Sequence, residues 1–213
     1  MKEVNNGTSF CDKPLDEEYW DKQYQAKTTG WDLGQVSPPI KEYFDKLQNK
    51  SVRILIPGCG NAYEAAYLLQ NGFTNITVID IAPTVVASLQ KKFVANSSIN
   101  IIQGDFFDHN AEYDIIVEQT FFCALPSSLR KNYVVKMHQL LCSGGKLVGL
   151  LFNRTFEQGP PFGGSKNEYE NLFANYFSFE KVAICKTSIS PRANTELWIE
   201  FNKKNINEYF RLD

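Results

Sequence analysis

Apolar positions follow three regimes along the chain: helical spacing near the start, short runs divided by helical stretches in the middle, and alternation near the end. Leu15 to Lys27 predicts a short helix with its aromatics on one side. Thr28 to Pro39, holding Gly30, Gly34, Pro38 and Pro39, reads as a loop, and Ile40, Tyr43, Phe44 and Leu47 restore helical spacing. From Val52 the pattern predicts strands over Val52–Ile56, Ile76–Ile79, Ile99–Gln103, Tyr113–Val117 and Lys146–Phe152. Helices are expected over Ala62–Asn71, stopped by Gly72, over Pro83–Ala95, opened by its proline, and over Pro126–Leu141. Ser143-Gly144-Gly145 reads as a turn before the fifth strand. A Gly/Pro-rich loop over residues 159–164 precedes a helix over Lys166–Asn175. The alternating runs Phe177–Cys185 and Glu196–Asn202 predict an antiparallel pair at the sheet edge. Together these elements predict an α/β fold: a doubly wound, mostly parallel, seven-stranded sheet with a C-terminal antiparallel hairpin. Residues 1–213 form one expected domain, with 1–14 a mobile tail and 15–48 a helical N-terminal segment.

Composition narrows the function classes. The 213 residues carry a net charge of −2 with lysines and arginines scattered, so no basic footprint for nucleic acid is present. The longest apolar stretch, Lys146 to Phe152, is too short to span a bilayer, so no membrane partner is expected. Five widely spaced cysteines without a CxxC pair, and only two histidines, point away from a zinc site or a disulfide framework. The polar start lacks an apolar signal region, and the expectation is a cytoplasmic protein without a metal.

The chemistry concentrates at strand ends. Ile54-Leu55-Ile56-Pro57-Gly58-Cys59-Gly60 ends a strand in a glycine turn, and Thr77-Val78-Ile79-Asp80 ends the next in an acid. Glycines that admit a ligand to the backbone, with an acid for ribose hydroxyls, make a nucleotide site. A dinucleotide fingerprint places a third glycine at position 63, where this chain has Tyr63. Acids follow the first four strands as Glu64, Asp80, Asp105 and Glu118. Asp80 suits ribose, Asp105 the adenine amine, and Phe106 can stack on the ring. This set fits S-adenosylmethionine, which has no diphosphate. An NAD-binding oxidoreductase using the same turn is the alternative on the residues alone.

Longer motifs carry a resemblance. They are Tyr19-Trp20-Asp21-x-x-Tyr24, Gly30-Trp31-Asp32-Leu33-Gly34, Pro57-Gly58-Cys59-Gly60, Asp80-Ile81, Gly104-Asp105-Phe106-Phe107, Phe121-Phe122-Cys123-Ala124 and Gly159-Pro160-Pro161-Phe162. In this order the chain resembles the thiopurine S-methyltransferase family, and is most similar to its halide/thiol methyltransferase branch. The resemblance implies a Rossmann-like class I methyltransferase fold. It implies a lid of Trp20, Tyr24 and Trp31 over the cofactor, and a pocket lined by Gly58, Asp80, Asp105, Phe106 and Gln119. The strand-end reading adds Gly60, Glu64, Ile81 and Glu118 as cofactor-binding candidates. Arg130 matches an arginine near substrate, and Phe121, Phe122 and Phe162 would wall the acceptor cavity. Three positions depart from the branch: Tyr24 replaces tryptophan, Glu118-Gln119 replaces an Asp-Tyr pair, and Phe162 replaces tyrosine.

The implied reaction moves a methyl group from S-adenosylmethionine to a small soft nucleophile, leaving S-adenosylhomocysteine. The acceptor would be a thiol, hydrosulfide, thiocyanate, halide or thiopurine-like thiol. A thiolate is already nucleophilic and needs no dedicated base, so neither His109 nor His138 is a catalytic candidate. The enzyme is expected to act as a monomer. A non-catalytic relative that only binds the cofactor stays open beside it.

Overall fold

The computed structural model describes residues 14–205; the expected tail lies, but for Pro14, outside the described residues. The strands are β1 (Ile54–Pro57), β2 (Ile76–Asp80), β3 (Ile99–Gln103), β4 (Tyr113–Gln119), β5 (Leu141–Phe152), β6 (Phe177–Ile184) and β7 (Glu196–Lys203). They form one sheet in the order β3-β2-β1-β4-β5-β7-β6. β1 to β5 pair in parallel, and β7 runs antiparallel to both β5 and β6. Every residue of β1 and β2 is buried, as central strands covered on both faces require. The helices are α1 (Glu17–Ala26), α2 (Pro38–Asp45), α3 (Tyr63–Gln70), α4 (Pro83–Lys92), α5 (Arg130–Leu140) and α6 (Lys166–Phe173). One apolar layer gathers Ile40, Phe44, Leu68 and Phe73 against the sheet, and the other gathers Tyr133, Met137, Phe173 and Phe201.

The expected antiparallel pair lies at the sheet edge, with β7 against β5 and β6 outermost. Leu197, Ile199 and Phe201 are buried, whereas most of β6 is exposed, and the strand with more surface to leave in water takes the rim. The Gly144-Gly145 segment does not precede β5 but lies within it. Pairing starts at Tyr113–Leu141 and resumes at Ile115–Lys146, so the glycines occupy a bulge. The helix expected from Pro126 opens with a 3-10 turn, Ser127–Leu129, before α5.

β4 ends on a sealed carboxylate. Glu118 is 0% exposed; its Oε1 accepts the N–H groups of Phe121 (2.8 Å) and Phe122 (2.9 Å), and its Oε2 accepts the Tyr133 hydroxyl. These bonds set the turn that leads the chain out of β4. On β5, Gly149 faces Glu118, where a Cβ would collide with the Glu118 backbone. Only glycine fits that approach.

Burial pushes the Glu118 carboxyl up from 4.5 to about 7, against the pull of its three donors. An acid whose folded pKa is raised contributes stability that is complete below its unfolded value and lost as pH climbs through the folded one. Glu118→Gln keeps an acceptor for both amides and cannot ionise. Thermal denaturation from pH 4.5 to 8 is therefore expected to show the variant gaining on the wild type as pH rises. At this chain length the gain is about 2–4 °C per kcal/mol. Parallel curves would contradict the assignment.

Candidate active site

The carboxyl ends of β1 to β5 meet at one rim. Because β7 runs the other way, its first residue, Glu196, pairs with Phe152 and brings the preceding loop to the same rim. The chain leaves β1 at Gly58 with φ +55, and a Cβ there would collide with the Phe121 ring. Asp80 ends β2 and accepts two backbone N–H groups, Gly60 on Oδ2 at 2.9 Å and Ala82 on Oδ1 at 3.0 Å. One carboxylate thereby ties the glycine turn to the start of α4. Burial raises its pKa while the N–H donors oppose the rise. Each oxygen keeps lone-pair capacity for a ligand hydroxyl. Asp105, after β3, is exposed and caps the next turn through the Phe107 N–H at 2.8 Å. Phe106 stands edge-on to Phe121, ring centroids 5.1 Å apart.

The N-terminal segment roofs this rim. α4 begins after Ala82, whose side chain cannot cap it, and Asp21 of α1 supplies the missing acceptor, taking the Thr84 N–H at 2.7 Å. Trp20 and Tyr24 pack on Ala82, Val85 and Val86. Trp31 lies edge-on to both, at 5.5 Å from Trp20 and 6.0 Å from Tyr24. The loop carrying Trp31 is fastened on three sides. Ser37 N–H donates to Glu64 Oε1 at 3.0 Å, Asn61 donates to Asp32, and Arg192 donates to the Trp31 carbonyl at 2.8 Å.

Beneath the roof lies a cavity of about 620 Å³. Of the expected residues it brings together Trp20, Tyr24, Trp31, Gly58, Asp80, Ile81, Asp105, Phe106 and Phe121. A recess of about 50 Å³ adjoins it at Tyr24, Trp31, Gly58 and Thr120, and is lined by Gly60, Glu64 and Gln119. Gln119 Oε1 is buried there without a hydrogen-bond partner. An unpaired buried acceptor costs roughly 1–3 kcal/mol, and a ligand ammonium in the recess would offset that cost. Acids and aromatics in the larger space, with a vacant acceptor beside the glycine turn, fit S-adenosylmethionine from its adenosine to its amino acid end.

Four expected residues lie elsewhere. Glu118 is sealed beneath the β4 turn and does not reach either cavity. Phe122, 1% exposed, packs on Tyr133 and Tyr169 in the core. Phe162 is held by its N–H to the Cys123 carbonyl, with its ring over Gly159. Arg130 is buried, paired with Glu168 and bonded to the Gly163 carbonyl at 2.6 Å, with its guanidinium 4.8 Å from the Phe122 ring centre. It braces the loop after β5 rather than lining the cavity. In exchange the cavity recruits Thr120, Arg154, Phe156, Pro160, Pro161 and Arg192. The usable signal for the arginines was topological: one follows β5 and the other precedes an antiparallel β7, so both reach the ligand rim.

The family model described as Thiopurine S-methyltransferase matches residues 15–208. The chain is 31% identical over 185 residues to a probable thiol methyltransferase 2 of Arabidopsis thaliana, covering 83% of this chain and 81% of that one. It is 26% identical over 215 residues to a thiopurine S-methyltransferase of Acinetobacter baylyi, covering 87% and 98%. Among solved structures, the 1,6-didemethyltoxoflavin-N1-methyltransferase of Burkholderia thailandensis, with bound S-adenosylhomocysteine, superposes with a TM-score of 0.72 at 15% identity, covering 89% and 87%. That likeness is one of fold, the class I methyltransferase fold. The chain itself belongs to the thiopurine S-methyltransferase family.

Proposed function

We propose that this S-adenosylmethionine-dependent methyltransferase alkylates the sulfur of a small thiol in its thiolate form. Family membership removes the dinucleotide alternative. The observation that carries the reading is Asp80, joining the glycine turn to α4 at the floor of a cavity roofed by three aromatics. In this reading Asp80 takes the ribose hydroxyls, Asp105 the adenine edge, and Ile81 and Phe106 the faces of the ring. Gln119 and the Gly58–Gly60 turn take the amino acid end.

The cofactor when bound supplies a methyl group already activated on a sulfonium. What remains for the chain is alignment, worth roughly 7–11 kcal/mol at best, and exclusion of water. Tyr24 and Trp31 border both cavities, so they stand where the sulfonium would lie. Aromatic faces there attract a cation by about 2 kcal/mol when desolvated. No histidine lines the cavity: His109 bonds Tyr113 at 2.7 Å and His138 bonds the Lys204 carbonyl at 2.8 Å. A site so equipped favours a nucleophile that ionises unaided, and relatives named as thiol and thiopurine methyltransferases support sulfur. Burial pushes the thiols of Cys59 and Cys123 up, so both stay protonated and inert beside the donor. The reading extends to a single-domain, cytoplasmic monomer. A net charge of −2 supports a partner that is a small molecule rather than nucleic acid or membrane.

Isothermal titration is expected to give micromolar-range affinity for S-adenosylmethionine, weakened at least tenfold by Asp80→Ala, or about 1.4 kcal/mol. Gln119→Leu separates binding from folding: it should weaken the same affinity several-fold while leaving the melting temperature equal or higher, since an unpaired acceptor is removed. A panel of thiols, hydrosulfide, thiocyanate and halides, followed by S-adenosylhomocysteine release, should give the highest kcat/KM with thiols. Tight cofactor binding with no turnover across the panel would instead favour the non-catalytic relative.

A further inference from the structure

The cavity wall is divided by charge, and the strand order does the dividing. Asp80 and Asp105 follow β2 and β3 on one side of β1, whereas Arg154 and Arg192 follow β5 and precede β7 on the other. The acid side is the one read above as the seat of the cationic donor. The arginines are left facing the space that remains for the acceptor.

The two arginines are not equivalent. Arg192 is committed, with Nη1 3.3 Å from Glu196 and Nη2 2.8 Å from the Trp31 carbonyl, and its side chain and that of Glu196 are only 12% and 4% exposed. Its charge is neutralised where it stands. Arg154 is spare: it is exposed at the cavity mouth, and among the described residues its side chain has no ion pair and no hydrogen bond. Its guanidinium lies against the Phe156 ring, 4.6 Å from the centroid. Its backbone is nevertheless fixed. The Arg154 carbonyl accepts the Gly164 N–H at 3.0 Å, and a Cβ at Gly163 would collide with that carbonyl. An anchored, unpaired cation flanked by Phe152, Phe156, Pro160 and Pro161 is a recognition element for an anion on an apolar body.

The cavity of about 620 Å³ lies in the range that encloses a drug-sized ligand, roughly 300–1,000 Å³, and it has to hold the adenosine of the cofactor as well as the acceptor. The apolar lining around Arg154 is what suits an aryl body on that side.

We propose that Arg154 selects the acceptor, and that the preferred substrate is an aryl-sized thiol bearing a second, anionic group such as a carboxylate. This rests on the thiol methyltransferase reading and adds the charge and size of the acceptor. The thiol proton goes to solvent. The thiolate sulfur then bonds the methyl carbon as the donor S–CH3 bond breaks, and that bond's electron pair returns to the donor sulfur. A thioether and S-adenosylhomocysteine result, and the carboxylate at Arg154 takes no part in the bond changes.

The test compares 4-carboxythiophenol with thiophenol in steady-state methylation by wild type, Arg154→Gln and Arg154→Lys. Taking the ratio of kcat/KM for the two thiols within each protein cancels their intrinsic reactivities. Wild type is expected to favour the carboxylated thiol, Arg154→Gln to cut that ratio at least tenfold, chiefly through KM, and Arg154→Lys to restore part of it. Titration with S-adenosylmethionine should give unchanged affinity in all three proteins, as a folding defect would not. Turnover of both thiols with a ratio indifferent to position 154 overturns this inference alone. Failure of every thiol to turn over in a cofactor-binding wild type overturns the thiol reading, and this inference with it.

Discussion

The carboxylate of Asp80 is the joint on which the ligand rim depends. Its two oxygens hold the N–H groups of Gly60 and Ala82, so the exit of β1 and the entry to α4 are fixed by one buried side chain. A charge 7% exposed would be costly without those donors. Those donors offset part of the cost of burial, which still raises the pKa of the group, and its remaining lone pairs stay available to hydroxyl donors. The roof inherits its position from the same joint. α4 presents Thr84 N–H to Asp21, and α1 thereby sets Trp20 and Tyr24 above the cavity. Displacement of the start of α4 would therefore move floor and roof together.

A second fastening acts from the far side of the sheet. Arg192 reaches the Trp31 carbonyl from the loop that precedes β7, and Glu196 on β7 balances its charge. The Trp31 loop is thus pinned from both ends of the rim, to α3 through Ser37 and Glu64 and to β7 through Arg192. Glu64 serves the site by holding this loop, since its Oε1 is engaged by the Ser37 N–H. An aromatic roof held by three separate hydrogen bonds suits a reaction that needs alignment and dryness more than proton transfer.

Much of this was legible in the residues. β3 coincides with its predicted span, and the glycine turn, Asp80, Asp105 and the aromatic segment converge as their spacing suggested. Glu118 and Gln119 show where such reading stops. Neighbours on a strand point to opposite faces, so one of this pair had to turn inward, and an acid after a strand looks the same in either case. Tyr133 and the amides of Phe121 and Phe122 claim Glu118, and the recess is left to Gln119. Arg130 fails for a related reason. Its partner Glu168 lies on α6, and no periodicity near position 130 announces a contact so distant in the chain. The placement of β7 was equally hidden, because alternation reports which face of a strand is buried and not which strand lies beside it.

The division of charge around the cavity follows from topology more than from any one residue. In a doubly wound sheet the loops after β2 and β3 can reach only one side of β1, and those after β4 and β5 only the other. Acids in the first set and arginines in the second would give a cationic donor and, on the reading proposed above, an anionic acceptor separate places at one rim. Gly58, Tyr24, Trp31 and Thr120, where the cavity adjoins the recess beside the glycine turn, carry no titratable group apart from the tyrosine hydroxyl. Burial lifts that hydroxyl far above its ordinary range, with Asp80 adding to the effect, so it stays neutral. A donor and an acceptor of opposite charge, drawn to opposite flanks of one cavity, would need alignment more than a base.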